Sequence, residues 1–306
     1  VDPGRFSRHR TTALVPPMVS IVALLSRAGE HLGSLLALAV VPLVLAAVSV
    51  EKFRRIAGSS ADLRFGVSFG FPTTVSTAWD FLSLPNAAPG LNLPTGSVET
   101  TAVVMLVVTV LSASLGAGYL GSVRRELAGL DRAFATDVRR FFGPFLGFEL
   151  INLVLVLGAV AAALVALPLA LGFVLALFVF AYLFYATPYL VVVEGTDLPT
   201  ALRRSYGYAA SGGEYASFFL QYLVAVALVS VVATPPFTTS VAGAALGTVV
   251  LAPVAVLFDT ATMLFVRDLT AAGERAGDGG PGDAGTGGFE TDDDPGAGQS
   301  NMPVET

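Results

Sequence analysis

The stretch GPFLGFELINLVLVLGAVAAAL, residues 143–164, is almost entirely apolar, with one carboxylate, Glu149, inside it. A helix needs about 20 apolar residues to cross the hydrocarbon core of a bilayer. After Pro168 a second apolar run follows, residues 170–193. The two runs together are too long for one span, and a proline between them suits a tight turn. We therefore predict a transmembrane helical hairpin, and this hairpin decides the fold class.

The rest of the chain repeats this pattern. Six apolar runs are long enough to cross a bilayer: residues 33–50, 100–121, 143–167, 170–193, 215–233 and 240–266. Hydrophobic residues make up 54% of the chain, charged residues make up 13%, and the mean hydropathy is +0.73. Soluble domains carry about 25% charged residues. The predicted fold class is all-α membrane, a six-transmembrane-helix bundle with interfacial amphipathic helices.

The composition changes on both sides of this predicted membrane domain, residues 33–271. Residues 1–32 are expected to be a cytoplasmic segment, and residues 19–32 within it have the apolar face typical of an interfacial helix. Residues 272–306 are rich in Gly, Asp and Pro, which predicts a disordered acidic tail.

Two further amphipathic stretches lie between the predicted spans. One falls within residues 123–141, and the other surrounds Trp79, with Phe69, Phe71 and Phe81 nearby. Aromatic side chains are enriched at the membrane–water interface. We therefore expect the loop around Trp79 to lie at the level of the lipid headgroups. Docking of a partner protein is the alternative for each amphipathic stretch.

The distribution of Arg and Lys predicts the orientation of the spans. Thirteen of these residues fall in residues 1–32, in the connections on the same side of the membrane and in the segment after the sixth span. Four fall on the opposite side, all in the first long loop: Lys52, Arg54, Arg55 and Arg64. Cytoplasmic connections carry the excess of basic residues. We expect a multi-pass protein of the cell membrane with both termini in the cytoplasm.

Four polar side chains fall at one depth of the predicted bundle: Glu149, Asp259, Tyr185 and Gln221. At 1.5 Å per residue, the two carboxylates lie about 10 Å from the cytoplasmic ends of their spans. A carboxylate in the bilayer core costs on the order of 2.5–3.5 kcal/mol. One hypothesis is a cytoplasm-facing cavity that binds a small solute, a proton or cation, or a lipid headgroup. The other is a set of interhelical hydrogen bonds with no ligand.

A second group of polar residues follows the fourth span. Asp197 or Thr196 can cap a helix that has Pro199 in its first turn and ends at Gly212. Arg203 and Arg204 on this helix are candidates for contact with anionic lipid headgroups. The alternative is that they act only as a cytoplasmic anchor.

Other classes of function find little support in the sequence. The net charge of −6 and the lack of a basic stripe argue against nucleic acid as a partner. There is no Cys, and both histidines, His9 and His31, precede the first long apolar run. No nucleophile elbow, H-E-x-x-H or P-loop occurs. We therefore predict neither cofactor, metal site nor enzymatic activity; an intramembrane hydrolase using Glu149 and Asp259 is the alternative.

Several short motifs carry a resemblance to a known group. They are Pro188, Glu194–Gly195, ALRRS at 201–205, and FGFPTTVSTAWDFLSLP at 69–85. Over about residues 18–270 the chain resembles six-span bacterial and archaeal proteins that include the membrane domain of some glycerophosphodiester phosphodiesterases. Within this group it resembles uncharacterised haloarchaeal members. The resemblance implies a six-span fold in the cell membrane. It does not imply hydrolysis, because the phosphodiesterase domain and its metal-binding residues have no counterpart in this sequence.

These observations leave two hypotheses for the function. The first is a non-enzymatic accessory or scaffolding protein that contacts the lipid bilayer and other membrane proteins through its interfacial helices and tail. The second is a carrier or binder of a small solute, a proton or cation, or a lipid headgroup at Glu149 and Asp259.

Overall fold

The computed structural model describes residues 20–58, 66–84 and 98–278. The predicted acidic tail from residue 279 onward, and residues 1–19 of the predicted cytoplasmic segment, lie outside the described residues. The chain forms two compact units, Val1–Leu269 and Thr270–Thr306. The candidate site lies in the first unit.

The described residues form α-helices and contain no strand, which confirms the all-α prediction. The helices are α1 (Ile21–Glu30), α2 (Leu32–Leu35), α3 (Val40–Val48), α4 (Val50–Ala57), α5 (Val98–Leu127), α6 (Phe134–Val165), α7 (Leu167–Phe184), α8 (Thr187–Glu194), α9 (Leu198–Ser211), α10 (Gly213–Phe237) and α11 (Val241–Asp278). Five segments in the described residues are long and apolar enough to cross a membrane, and α1 to α3 make up to a sixth. The chain is therefore a multi-span membrane bundle.

The first predicted span is broken rather than straight. A 3-10 turn, Leu36–Ala39, separates α2 from α3, and the chain bends by 67° between α1 and the segment that follows it. Helix α1 occurs at the position expected for an interfacial helix. Its apolar side, with Ile21, Leu24 and Ala28, is buried in the protein, so this face is used for packing within the bundle.

The predicted hairpin between the third and fourth apolar runs is present. Helix α6 ends at Val165, Ala166 is extended, and Pro168 lies in the first turn of α7. We call this side of the bundle the distal end. The opposite side, the Arg-rich end, contains the connection between α5 and α6, where Arg125 Nε lies 3.0 Å from both oxygens of the buried Asp137 carboxylate.

Residues 66–84 enter the bundle from the distal end and return to it, and we call them the re-entrant loop. Both arms are bound to α10 near its distal end: Ser68 N–H donates to Ser230 Oγ at 2.8 Å, and Ser83 N–H donates to Thr234 Oγ1 at 3.0 Å. The tip reaches Tyr222, where Ser76 Oγ lies 3.2 Å from the tyrosine hydroxyl. Tyr222 is eight residues along α10 from Ser230, which corresponds to a depth of about 12 Å.

The prediction that this loop lies at headgroup level is wrong for its central residues. Trp79 is only 4% exposed, its indole Nε1–H donates to the Ala46 carbonyl at 2.9 Å, and Phe53 packs edge-on against it at 4.9 Å. Phe81 is fully buried. An indole ring has an apolar body and one polar donor. The protein interior at the end of α3 supplies apolar contacts for the ring and an acceptor for its N–H, as the membrane–water interface would. Phe69 alone of the four aromatic residues is strongly exposed.

Glycines allow the close contacts that the loop requires. At Gly70, a Cβ atom would lie 2.7 Å from the Asp80 carbonyl oxygen on the other arm. At Gly116 of α5, a Cβ atom would lie 2.8 Å from Thr74 Cγ2 at the tip. The two arms and the neighbouring helix therefore approach at distances that only glycine permits.

We expect Gly70→Ala to destabilise the protein by roughly 1–3 kcal/mol, because the added methyl group would overpack the two arms. The measurement is thermal unfolding of the purified protein in detergent. Gly33→Ala is the matched control, since a Cβ atom at Gly33 meets nothing within 4 Å. Equal melting temperatures for the two variants would contradict the close packing of the arms.

Candidate functional site

The tip of the re-entrant loop, residues 73–76, is held by side chains from four helices. The Thr73 carbonyl accepts from the Tyr189 hydroxyl of α8 at 2.9 Å, and Thr74 Oγ1 donates to Glu149 Oε1 of α6 at 3.2 Å. Ser76 is bound by Tyr222 of α10 and Asp259 of α11. Non-helical backbone at membrane depth requires such partners, because no water is there to replace them.

Asp259 is the partner of the loop backbone. Its side chain is fully buried, and Ser76 N–H donates to its two oxygens at 3.0 and 3.2 Å. The Tyr119 hydroxyl donates to Oδ2 at 3.0 Å, and the Tyr189 hydroxyl lies 3.5 Å from Oδ1. Both carboxylate oxygens are therefore engaged with the protein.

Glu149 is placed differently. Its side chain is half-buried, and its one hydrogen bond to a described residue comes from Thr74. It lines a cavity of about 720 Å³ that lies between the re-entrant loop and α3 to α7. The two acids of the predicted polar layer thus contact the same loop tip, two residues apart, but only Glu149 faces open space.

The cavity has apolar walls with polar groups at intervals. Helices α3, α5, α6 and α7 supply mostly aliphatic and aromatic side chains, among them Leu45, Val104, Val108, Leu111, Phe148, Leu177 and Phe180. The polar lining residues are Ser49, Glu51, Arg54, Thr73, Thr74, Thr77, Asp80, Ser112, Glu149, Asn152 and Tyr185. Ser49, Glu51 and Arg54 follow the distal end of α3. The cavity therefore extends toward the distal end, whereas the sequence-based hypothesis was a cavity facing the cytoplasm.

Two carboxylates on the distal part of the cavity have cationic neighbours. Glu51 Oε1 lies 3.5 Å from Arg55 Nε one helical turn later. Asp80 accepts hydrogen bonds from Thr77 N–H and Oγ1. Burial raises the pKa of Asp80 and lowers that of Lys52, and each charge partly offsets the shift of the other. Lys52 also lies over the Trp79 ring at 5.6 Å.

The other two residues of the predicted polar layer have different surroundings. Tyr185 lines the cavity with Glu149, and its ring stacks on Tyr215 at 4.5 Å. Gln221 does not join them. Its Oε1 accepts from Ile21 N–H at 2.9 Å, so it supplies an acceptor for the first turn of α1.

The predicted pair of arginines lies on α9 at the Arg-rich end. Both side chains are exposed, and Arg204 Nη1 lies 2.6 Å from Glu194 Oε1. Glu194 ends α8, and Gly195 follows it with a left-handed φ of 67°. Arg204 therefore joins α8 to α9, and Arg203 is the more available of the two for lipid phosphate.

Sequence reasoning missed the residues that hold the loop. Tyr119, Tyr189 and Tyr222 lie in spans that were counted only for length and apolarity, and Thr74 and Ser76 lie in a segment assigned to the surface. A usable signal was the presence of a tyrosine in the cytoplasmic half of three predicted spans: Tyr119, Tyr189 and Tyr222. Such hydroxyls need partners when they leave water.

Comparisons with known proteins supply no further information. The chain matches no family model, no curated protein and no solved structure. Within the described residues, no group of three or more His, Cys, Asp or Glu side chains could hold a metal ion. The cavity and its lining residues are therefore the basis for assigning a function.

We expect Asp259→Asn to loosen the tip of the re-entrant loop. Loss of one or more hydrogen bonds to the carboxylate, worth about 1–3 kcal/mol, would raise the open population of the loop roughly 5- to 150-fold. The chain contains no Cys, so Val75→Cys, at a position 8% exposed, gives a single label. The measurement is the rate of maleimide labelling with and without Asp259→Asn.

The matched control is Val67→Cys, which lies in the same loop but is 44% exposed. Its labelling rate should change little when Asp259 is replaced. If Asp259→Asn leaves the rate at Val75→Cys unchanged, the carboxylate does not hold the loop.

Proposed function

We propose that this protein binds a small molecule within the membrane, in the cavity beside the re-entrant loop. The observation that carries the proposal is the half-buried carboxylate of Glu149 on the wall of a cavity of about 720 Å³. Ligand sites in proteins have volumes of about 300–1,000 Å³, mostly apolar walls and a few placed polar groups. This cavity has each of these properties.

Glu149 suits a binding role better than Asp259 does. The oxygens of Asp259 already accept from Ser76 and Tyr119, and its side chain has no exposed surface. Among the described residues, Glu149 has a single hydrogen-bond partner, Thr74, whose hydroxyl a ligand donor could replace. Ionisable groups inside membranes mark ligand or ion sites when packing does not use them. We therefore assign ligand contact to Glu149 and loop support to Asp259.

We favour a binding function over a scaffolding function for this protein. A scaffolding role would use the interfacial helices and the tail, but α1 buries its apolar face within the bundle. The tail from residue 279 lies outside the described residues. The relationship to the six-span group and the absence of enzymatic activity stay predictions, and the binding proposal depends on neither.

Quenching of Trp79 fluorescence by a brominated ligand tests the binding proposal. Trp79 is the only Trp in the chain, and its neighbours Thr77 and Asp80 line the cavity. We expect terminally brominated octylamine or octanol to quench it saturably in protein reconstituted into nanodiscs. The double variant V108F/S112F should weaken this quenching about tenfold or more, because a misfit of one methylene changes pocket affinity by roughly 10- to 200-fold.

The matched control is V107F/V110F on the same helix, since both of these side chains face outward and are 59% and 38% exposed. It should quench as the wild-type protein does. Quenching that is unsaturable, or the same in both double variants, would reflect partition into lipid and would refute the cavity as a binding site.

We further propose that both termini are cytoplasmic and that the distal end faces the exterior of the cell membrane. The distribution of Arg supports this orientation. A Cys at Ser240, next to the distal turn before α11, should react with an impermeant maleimide on intact cells. A Cys at Ala128, in the connection after α5, should react only after lysis. The reverse pattern would invert the topology.

A further inference from the structure

We infer that the ligand of this cavity is an apolar molecule carrying a single cationic amine, bound with its ammonium group at Glu149. The inference rests on the proposed binding function and adds the chemical class of the ligand. It follows from the charges on the cavity wall and from the distribution of apolar surface around them.

Three carboxylates of described residues line the cavity: Glu51, Asp80 and Glu149. They differ in whether a cationic side chain lies close enough to balance their negative charge. Glu51 is within 3.5 Å of Arg55, and the charge of Lys52 acts on Asp80. Among the described residues, no cationic side chain forms an ion pair with Glu149. A buried carboxylate gains most from a partner of opposite charge, and a ligand cation would supply it.

The surroundings of Glu149 determine the remainder of the ligand. Phe148, Leu177 and Phe180 line the same cavity, as does Val108 of α5. These side chains favour an alkyl or aromatic body over a hydrated inorganic ion, since burial of apolar surface is worth roughly 25 cal/mol per Å². The cation is therefore expected on an organic molecule.

The described residues argue against two other ligand classes. A divalent metal would need several oxygen or nitrogen ligands together, and no group of three His, Cys, Asp or Glu side chains is available. An anionic amphiphile would bring its charge to Glu149, which forms no ion pair with a described residue. Arg54 lies on the distal part of the lining and follows α3, so an anion would find its partner there rather than at Glu149.

Three probes with the same alkyl chain and different headgroups show how much the headgroup contributes to affinity: octylamine, octanol and octanoate, each brominated at the chain end. With Trp79 quenching in nanodiscs, we expect the amine to bind about tenfold or more tightly than the alcohol. The acid should bind more weakly than the alcohol. In each case the specific signal is the part lost in V108F/S112F and retained in V107F/V110F.

Two carboxylate variants test the assignment to Glu149. Glu149→Gln should remove the preference for the amine, whereas Glu126→Gln, which replaces an ion-paired carboxylate at the Arg-rich end outside the cavity, should change it less than about twofold. Glu149→Asp retains the charge and should retain a preference for the amine. It also separates a charge effect from a folding defect, which a melting curve of each variant checks.

The outcomes distinguish failure of the inferred ligand class from failure of the proposed binding function. If the three probes bind equally and V108F/S112F weakens them all, the cavity binds ligands but the inferred cationic class is wrong. A preference for the amine that survives Glu149→Gln would also overturn the class assignment. If V108F/S112F affects no probe, the binding function itself is refuted.

Discussion

A backbone N–H group taken into the interior of a membrane bundle must find an acceptor there, and for Ser76 that acceptor is the carboxylate of Asp259. The free-energy cost of leaving such a group unpaired in hydrocarbon is several kcal/mol. The acid that α11 carries at this depth therefore stabilises the tip of the re-entrant loop within the bundle. Displacement of the loop would remove one wall of the cavity, since residues 71–75 form part of its lining.

The two membrane-embedded acids serve different purposes although they lie close together along the loop tip. Asp259 is saturated by Ser76 and Tyr119 and has no exposed surface. Within the part of the chain that the structure describes, Glu149 is held only by the hydroxyl of Thr74, and it borders open volume. The number of protein donors around each carboxylate thus separates a structural acid from one that can receive a ligand.

The membrane spans could be predicted from the sequence because the bilayer imposes a length and an apolarity that each helix must satisfy by itself. Glu149 and Asp259 could be selected for a similar reason, since charge in an apolar run is costly wherever its partner lies. The path of residues 66–84 could not be predicted in this way. Its aromatic, Ser and Thr residues suit an interfacial loop equally well, and the partner of Ser76 lies 183 residues later. The contact of Gln221 with Ile21, across 200 residues, was hidden for the same reason.

The order of the chain has a consequence for how the molecule is made. The loop leaves the ribosome before any of the four helices that bind its tip, and Asp259 lies on α11, which follows the other three. During synthesis the polar tip cannot bind Asp259 until α11 has been inserted, so it stays at the membrane surface or in a temporary position until then. Docking of the loop is thus a late step of assembly, and a chain interrupted before α11 would expose Thr73, Thr74 and Ser76 to quality control.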